Sequence, residues 1–115
     1  MGKRGELSSG AVDAPPRLSV SPLAGRSGVR MAGEVGLSTL PAWRQALEQV
    51  VREDEDVYLE LSSVTFVDVA GAGALADAAG RLTEGRRLVL HRPPAALRRV
   101  LEMLWPDLTE IEVCA

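Results

Sequence analysis

Five short segments of the chain are predicted to be β-strands, and in the first and third of them apolar and polar residues alternate as in a strand with one buried face. These segments span residues 17–21, 29–35, 57–66, 87–91 and 108–113. The first two are separated by Gly25-Arg26-Ser27-Gly28, which is typical of a turn, so they are predicted to form a hairpin. In the third segment, Val64 and Phe66 continue the apolar pattern, and a short turn is expected near its end.

A first helix is predicted between the second and third strands, because apolar residues there recur at intervals of three and four. The stripe consists of Leu40, Trp43, Leu47, Val50 and Val51. Ser38 or Thr39 is expected to cap this helix, and Pro41 is tolerated in its first turn. An acidic run follows Arg52, and acids oppose the dipole at a helix C-terminus. The helix is therefore predicted to end near Arg52.

Two further helices are predicted from the same spacing. In the second, the apolar face consists of Ala72, Leu75, Ala76, Ala79 and Leu82. Gly85 is expected to end it. The third opens at Pro93-Pro94 and stops at Trp105-Pro106. Its stripe, expected to be buried against the sheet, consists of Leu97, Val100, Leu101 and Leu104.

The order of these elements predicts a small α/β domain. Strands that alternate with helices favour a mixed sheet with parallel crossovers, here flanked by about three to four helices. Residues 1–15 are rich in Gly, Ser and charge and are interpreted as a flexible leader. The folded domain is expected to span residues 16–115.

Composition excludes several function classes. The net charge of -3 gives no electrostatic basis for nucleic-acid binding, and only 3% of the residues are aromatic. No apolar run approaches the roughly 20 residues that cross a bilayer, so no membrane contact is expected. The single cysteine, Cys114, excludes an internal disulfide and a cysteine-based metal site, and it fits a reducing cytoplasm. No cofactor or metal is expected.

Three segments in sequence resemble the STAS domain, the fold of the anti-sigma factor antagonists. Residues 33–41 read Gly-Glu-Val-Gly-Leu-Ser-Thr-Leu-Pro, similar to the Gly-Glu-Leu-Asp-Leu-Ala-Thr-Ala-Pro segment of that family. Residues 58–68 resemble its central strand, and Val69-Ala70-Gly71 with Leu75 resembles the start of its switch helix. The resemblance covers residues 17–113 and implies a STAS-like sheet.

The chain departs from the family pattern at three positions. The family usually carries Asp-Ser-Ser/Ala-Gly at the switch, where the Ser after the Asp is phosphorylated by the partner kinase; here that position is Val69. Gly36 stands where an Asp is usual, and Glu60 replaces another Asp with retention of charge. A side chain without a hydroxyl cannot accept a phosphoryl group, so the resemblance implies binding without the usual switch.

The resemblance implies a non-enzymatic regulatory domain that docks on a kinase-like anti-sigma factor, or on another regulatory protein. The expected contact residues are Glu34, Gly36, Ser38, Thr39, Asp68, Val69, Ala70, Gly71 and Ala72. The alternative is a scaffold or sensory-complex subunit that uses the same fold for assembly. The pattern also leaves a homodimer open. An enzyme is disfavoured because no nucleophile–base pair, metal spacing or paired carboxylates are evident.

Several residues have a structural interpretation beside the functional one. Asp68 is either a partner contact or a cap of the second helix. Gly71 and Gly73 favour close packing over a phosphate loop, because no Lys-Ser/Thr follows them. His91 is interpreted as a solvated strand end. Turn formation is favoured over phosphorylation for Ser62, Ser63 and Thr65, and a solvated face over an anion patch for Arg86, Arg87, Arg92, Arg98 and Arg99.

Overall fold

The computed structural model of the protein describes residues 17–52, 55–83 and 85–114. The strands are β1 (Leu18–Pro22), β2 (Gly28–Val35), β3 (Val57–Val67), β4 (Leu88–His91) and β5 (Ile111–Cys114). The helices are α1 (Leu40–Val51), α2 (Val69–Gly80) and α3 (Ala95–Leu104). The predicted leader, residues 1–15, lies outside the described residues, as does part of the acidic run after Arg52.

The five strands form one mixed sheet in the order β1-β2-β3-β4-β5. β1 and β2 pair antiparallel, which confirms the predicted hairpin, and the other neighbours pair parallel. Each parallel pair is connected by one helix. The predicted α/β class and mixed sheet are therefore confirmed, with three helices in the described residues.

All three helices lie on the same face of the sheet. Successive crossovers join neighbouring strands in one direction, and right-handed connections then place every helix on one side. α2 packs between α1 and α3. The core lies between this helical layer and the sheet, and its largest fully buried side chains are those of Trp43, Met31, Leu47, Leu59, Leu61, Leu75, Leu88, Leu90 and Leu97. The opposite face of the sheet carries no helix from the described part of the chain.

β3 contains two bulges instead of the predicted turn. Against β2, its register slips after Glu60 and again after Val64, so that each time β3 uses one residue more than its neighbour. A bulge reverses the face on which later residues lie. Leu61 is inward as the alternation requires, and the first bulge turns Val64 inward. The second bulge turns Val67 inward, so Phe66 points outward with 49% of its surface exposed.

α2 ends at Gly80, five residues before the predicted stop at Gly85. The backbone N–H of Arg81 turns back to the carbonyls of Ala78 and Ala79, which closes the helix. A glycine stabilises a helix poorly, so the chain leaves the helix at Gly80. Leu82 is buried all the same, because the segment after the helix folds over the core.

The predicted stripe of α3 is wrong at its last position. Leu97 and Leu101 are buried and Val100 is half-buried, but Leu104 is 53% exposed. Trp105, four residues after Leu101, takes the next place along the buried row. A Cβ placed on Gly73 of α2 would lie 3.7 Å from the Trp105 ring, so the indole packs directly over that glycine.

We expect Leu101→Ala to lower the free energy of unfolding by about 2–5 kcal/mol, because the truncation leaves a cavity between α3 and the sheet. Leu104→Ala is the matched control. It makes the same chemical change on the same helix at an exposed position, where surface substitutions typically change stability by no more than about 0.5 kcal/mol. Urea unfolding of both variants measures the difference. Equal losses would show that α3 is not packed through Leu101.

Candidate protein-docking site

The site predicted from the sequence forms where β2 and β3 end side by side. Val35 and Val67 are paired in register at the ends of these parallel strands. The N–H of Asp68 donates to the carbonyl of Val35 at 3.0 Å, which continues the pairing one step beyond β3. The loop that leads into α1 and the first turn of α2 therefore meet at one edge of the sheet.

Asp68 caps α2, which confirms the structural interpretation of this residue. Its backbone is extended, and its carboxylate Oδ1 accepts a hydrogen bond from the N–H of Gly71 at 2.8 Å. Its carbonyl accepts the first helical hydrogen bond, from the N–H of Ala72 at 2.9 Å. A cap of this kind stabilises a helix by about 0.5–2 kcal/mol. One oxygen of the partly buried carboxylate is thus engaged within the chain.

Gly71 lets α2 approach the sheet closely, as the packing interpretation predicts. A Cβ at this position would lie 2.7 Å from Cγ1 of Val35 and 2.8 Å from Cγ1 of Val67, both closer than carbon atoms tolerate. The carbonyl of Gly71 accepts a hydrogen bond from Nε1 of Trp43 at 2.9 Å. The buried indole of α1 and the start of α2 are therefore fixed to each other, and no phosphate loop is formed.

Thr39 holds the loop before α1, but not in the predicted way. It occupies the N-cap position without a side-chain cap. Its hydroxyl donates to the carbonyl of Glu34 at 2.7 Å and accepts from the N–H of Gly36 at 2.9 Å. A capping oxygen accepts an N–H of the first helical turn, and here the Thr39 oxygen accepts the Gly36 N–H of the loop instead. The loop is closed on itself, and Leu37 and Ser38 are left outside it.

Three large apolar side chains are exposed at this edge. Leu37 is 91% exposed, Val69 is 58% exposed and Phe66 is 49% exposed. A Cβ on Gly36 would lie 4.0 Å from the Phe66 ring, so the loop reaches the end of β3. We call Leu37, Phe66 and Val69 the apolar patch. The sequence pointed to Val69 alone, because the bulges of β3 obscured the orientation of Phe66 and a single leucine in a loop carries no periodic signal.

The other predicted contact residues divide by exposure. The exposed ones are Glu34, Ser38 and Ala70, and Gly36 and Asp68 are half-buried. Thr39, Gly71 and Ala72 are buried. These three residues position their exposed neighbours and do not themselves form the surface, because a partner reaches them only if the loop or helix moves. Gly36 has no side chain where the family usually has Asp, and a side chain at this position would begin beside the Phe66 ring.

The Glu60 carboxylate has several hydrogen-bond partners on the face of the sheet that carries no described helix. The Ser62 hydroxyl and N–H both donate to its carboxylate, and Nδ1 of His91 is hydrogen-bonded to it across the β3–β4 pair. The Ser62 hydroxyl, and to a lesser degree His91, lower the pKa of Glu60 although burial opposes this. Ser62, Ser63 and Thr65 lie in the bulged strand, so the turn predicted for them is wrong. His91 is half-buried and paired.

Two of the arginines for which a solvated face was favoured over an anion patch make separate contacts. Arg86 donates to the carbonyl of Val51 at 3.2 Å and to that of Glu55 at 3.3 Å, so it closes the C-terminal end of α1. Arg87 forms a salt bridge of 2.7 Å with Glu112 on β5. These contacts leave the two side chains directed to different neighbours. They support ordinary stabilising roles for both residues.

The described part of the chain has neither a cluster suited to a metal ion nor a helix suited to crossing a membrane. No group of three or more His, Cys, Asp or Glu side chains in residues 17–52, 55–83 and 85–114 is placed to hold a metal ion. Within the same residues, no helix has the length and apolar character needed to cross a membrane.

Comparison with known proteins places the fold. Residues 19–105 match the family model described as the Mlab STAS domain. An anti-sigma factor antagonist from Mycobacterium paratuberculosis has a similar crystal structure, with a TM-score of 0.67 and 26% identity over 85% of this chain and 86% of that chain. The unphosphorylated form of the anti-sigma factor antagonist SpoIIAA has a TM-score of 0.63 and 14% identity over 86% of this chain and 88% of that chain. No curated protein matches the chain significantly. Because the family model covers residues 19–105, which is most of the chain, the chain belongs to the STAS domain family.

Proposed function

We propose that this STAS domain is a regulatory protein-binding domain of the anti-sigma factor antagonist type, which docks on a kinase-like anti-sigma factor through the apolar patch. The observation that carries the proposal is the exposure of Leu37, Phe66 and Val69 together at the start of α2. The similar structure from Mycobacterium paratuberculosis is that of an anti-sigma factor antagonist, which supports this type of partner.

The physical driving force is burial of the apolar patch. Complete burial of a large apolar side chain contributes about 1.5–3 kcal/mol relative to leaving it exposed. Three such side chains at the centre of an interface are enough to act as its hot spot, provided that polar residues around them exclude water. Glu34 and Ser38, both exposed, lie at the rim of the patch.

Val69 removes the usual control of such an interface. In the family, a phosphate on the Ser at this position places a dianion at the N-terminus of the switch helix and blocks docking. Val69 carries no acceptor oxygen, and Asp68 next to it is engaged as the cap. We infer that the domain is constitutively competent to bind, and that its amount or an attached module sets its activity.

A pull-down from native lysate, read out by mass spectrometry, identifies the partner. Capture of a kinase-like anti-sigma factor supports the proposal. Capture of other STAS chains in a large particle instead favours a scaffold or sensory-complex subunit.

We expect Val69→Asp to fold as well as the parent and to lose its partner. A carboxylate near the N-terminus of α2 is favourable in the free domain. In the complex the same carboxylate is desolvated without a counter-charge, which costs several kcal/mol, so affinity falls by roughly a hundredfold or more. Thermal melts and affinity measurements on the captured partner check the two halves of this expectation.

The control for this variant is Val113→Asp. Val113 is 40% exposed on the edge strand β5, away from the α2 start, so the same chemical change is made outside the apolar patch. It should leave partner affinity within about twofold of the parent, as expected for a surface change outside an interface. Retention of full binding by Val69→Asp would show that the start of α2 is not the interface.

We also expect no phosphorylation at the switch. Incubation of the parent with related anti-sigma kinases and ATP, followed by peptide mapping, should find no stoichiometric phosphate on residues 62–74. Val69→Ser restores an acceptor at the switch and serves as the positive control. If the control is phosphorylated and the parent is not, Val69 accounts for the loss. Stoichiometric phosphate on this segment of the parent would contradict the expectation.

A further inference from the structure

The face of the sheet opposite the helices contains a pocket that the proposed docking surface does not use. The turn between β1 and β2 folds over this face, and it encloses a cavity of about 300 Å³ above β3 and β4. Val89 of β4 lies in its lining and is only 4% exposed, although no described helix covers it. Leu23 of the turn also lines the cavity. These two side chains give the cavity an apolar part, and His91 and Cys114 also line it.

A positive charge lies at the wall of this pocket. The Arg26 guanidinium lies 3.9 Å from the centre of the Tyr58 ring, and both side chains line the cavity. An arginine that stacks on an aromatic ring keeps the N–H groups along its edge available for hydrogen bonds. Among the described residues, Arg26 forms no salt bridge with a carboxylate. Its charge is thus available to a ligand in the pocket.

The one carboxylate that lines the pocket is already engaged. Glu60 accepts hydrogen bonds from Ser62 and is hydrogen-bonded to His91, so both of its carboxylate oxygens are engaged within the chain. An anion that enters beside Arg26 therefore meets a guanidinium and a carboxylate whose oxygens already have partners. A cationic ligand finds no free carboxylate in the lining. The charges of the site complement an anion with a small apolar body.

We propose that this pocket binds a small monocarboxylate with a short aliphatic or aromatic body, its carboxylate on Arg26 and its body against Val89, Leu23 and Tyr58. The cavity is at the lower end of the size range of small-molecule sites, about 300–1,000 Å³, which limits the ligand to a short chain or a single ring. A planar guanidinium matches a carboxylate with two parallel hydrogen bonds. The site is separate from the apolar patch, because it lies near the start of β3 whereas the patch lies at its end.

Amide chemical-shift titrations with hexanoate, hexan-1-ol and hexylamine test the proposal on the full chain. The three probes share the apolar body and differ in charge. Hexanoate should shift the amides of Arg26, Tyr58 and Val89, and it should bind at least tenfold more tightly than hexan-1-ol, with hexylamine weaker still. Benzoate should shift the same amides.

Two exposed-arginine variants sharpen the test. Arg26→Gln removes the charge but keeps a polar side chain, and it should weaken hexanoate binding at least fivefold while leaving hexan-1-ol unchanged. Arg99→Gln makes the same change on α3 and should have no effect on either probe. Amide spectra without ligand establish that both variants are folded.

The proposal is overturned by any of five results. Hexanoate at its solubility limit shifts none of the pocket amides, or hexan-1-ol binds as tightly as hexanoate. Arg26→Gln binds hexanoate as the parent does. Alternatively, the shifts fall on Leu37 and Val69, or depend on protein concentration in the absence of any probe. The last result would mean that the pocket is covered by a second copy of the chain.

Discussion

The close contact between Gly71 and the ends of β2 and β3 is the constraint on which the candidate site depends. A Cβ at this position would lie within 2.8 Å of Val35 and Val67, so α2 could not start where it does. The same residue anchors α1, because its carbonyl accepts the hydrogen bond of the Trp43 indole. The helical layer is therefore positioned from the first turn of α2, and the loop before α1 is brought beside it. The placement of this loop beside the first turn of α2 follows from the close contact at Gly71.

Most of the fold could be predicted because its elements carry regular patterns. The stripe of α1 predicted that helix and its end near Arg52, and apolar segments bounded by turn residues located all five strands. The predictions failed at two helix ends. α2 ends at Gly80 because a local hydrogen bond from Arg81 closes it there, and the half-buried Trp105, packed on Gly73 of α2, takes the place expected for Leu104.

The candidate site could be predicted only in part. The spacing from Val67 to Leu75 indicated a helix start after an acid, so the cap at Asp68 and the close packing at Gly71 were within reach. Phe66 was not, because each of the two bulges reverses the face of β3 and nothing in the residue types marks them: alternation from the inward Val64 places Phe66 inward, and the second bulge turns it outward. The pocket near Arg26 combines a turn with two strands that are distant in sequence. Only the folded chain brings those residues together.

The closed loop around Thr39 has a consequence for the kinetics and thermodynamics of association. Since the hydroxyl already ties Glu34 to Gly36 in the free domain, the backbone that presents Leu37 has little conformational entropy left to lose when a partner arrives. Ordering the backbone of a flexible loop residue costs about 1–2 kcal/mol of free energy, and here this cost is part of folding and not of binding. In the docking that we propose, this loop acts as a rigid element, with nearly the same backbone before and after the encounter. Selectivity at the loop then depends on how well the partner's shape fits it.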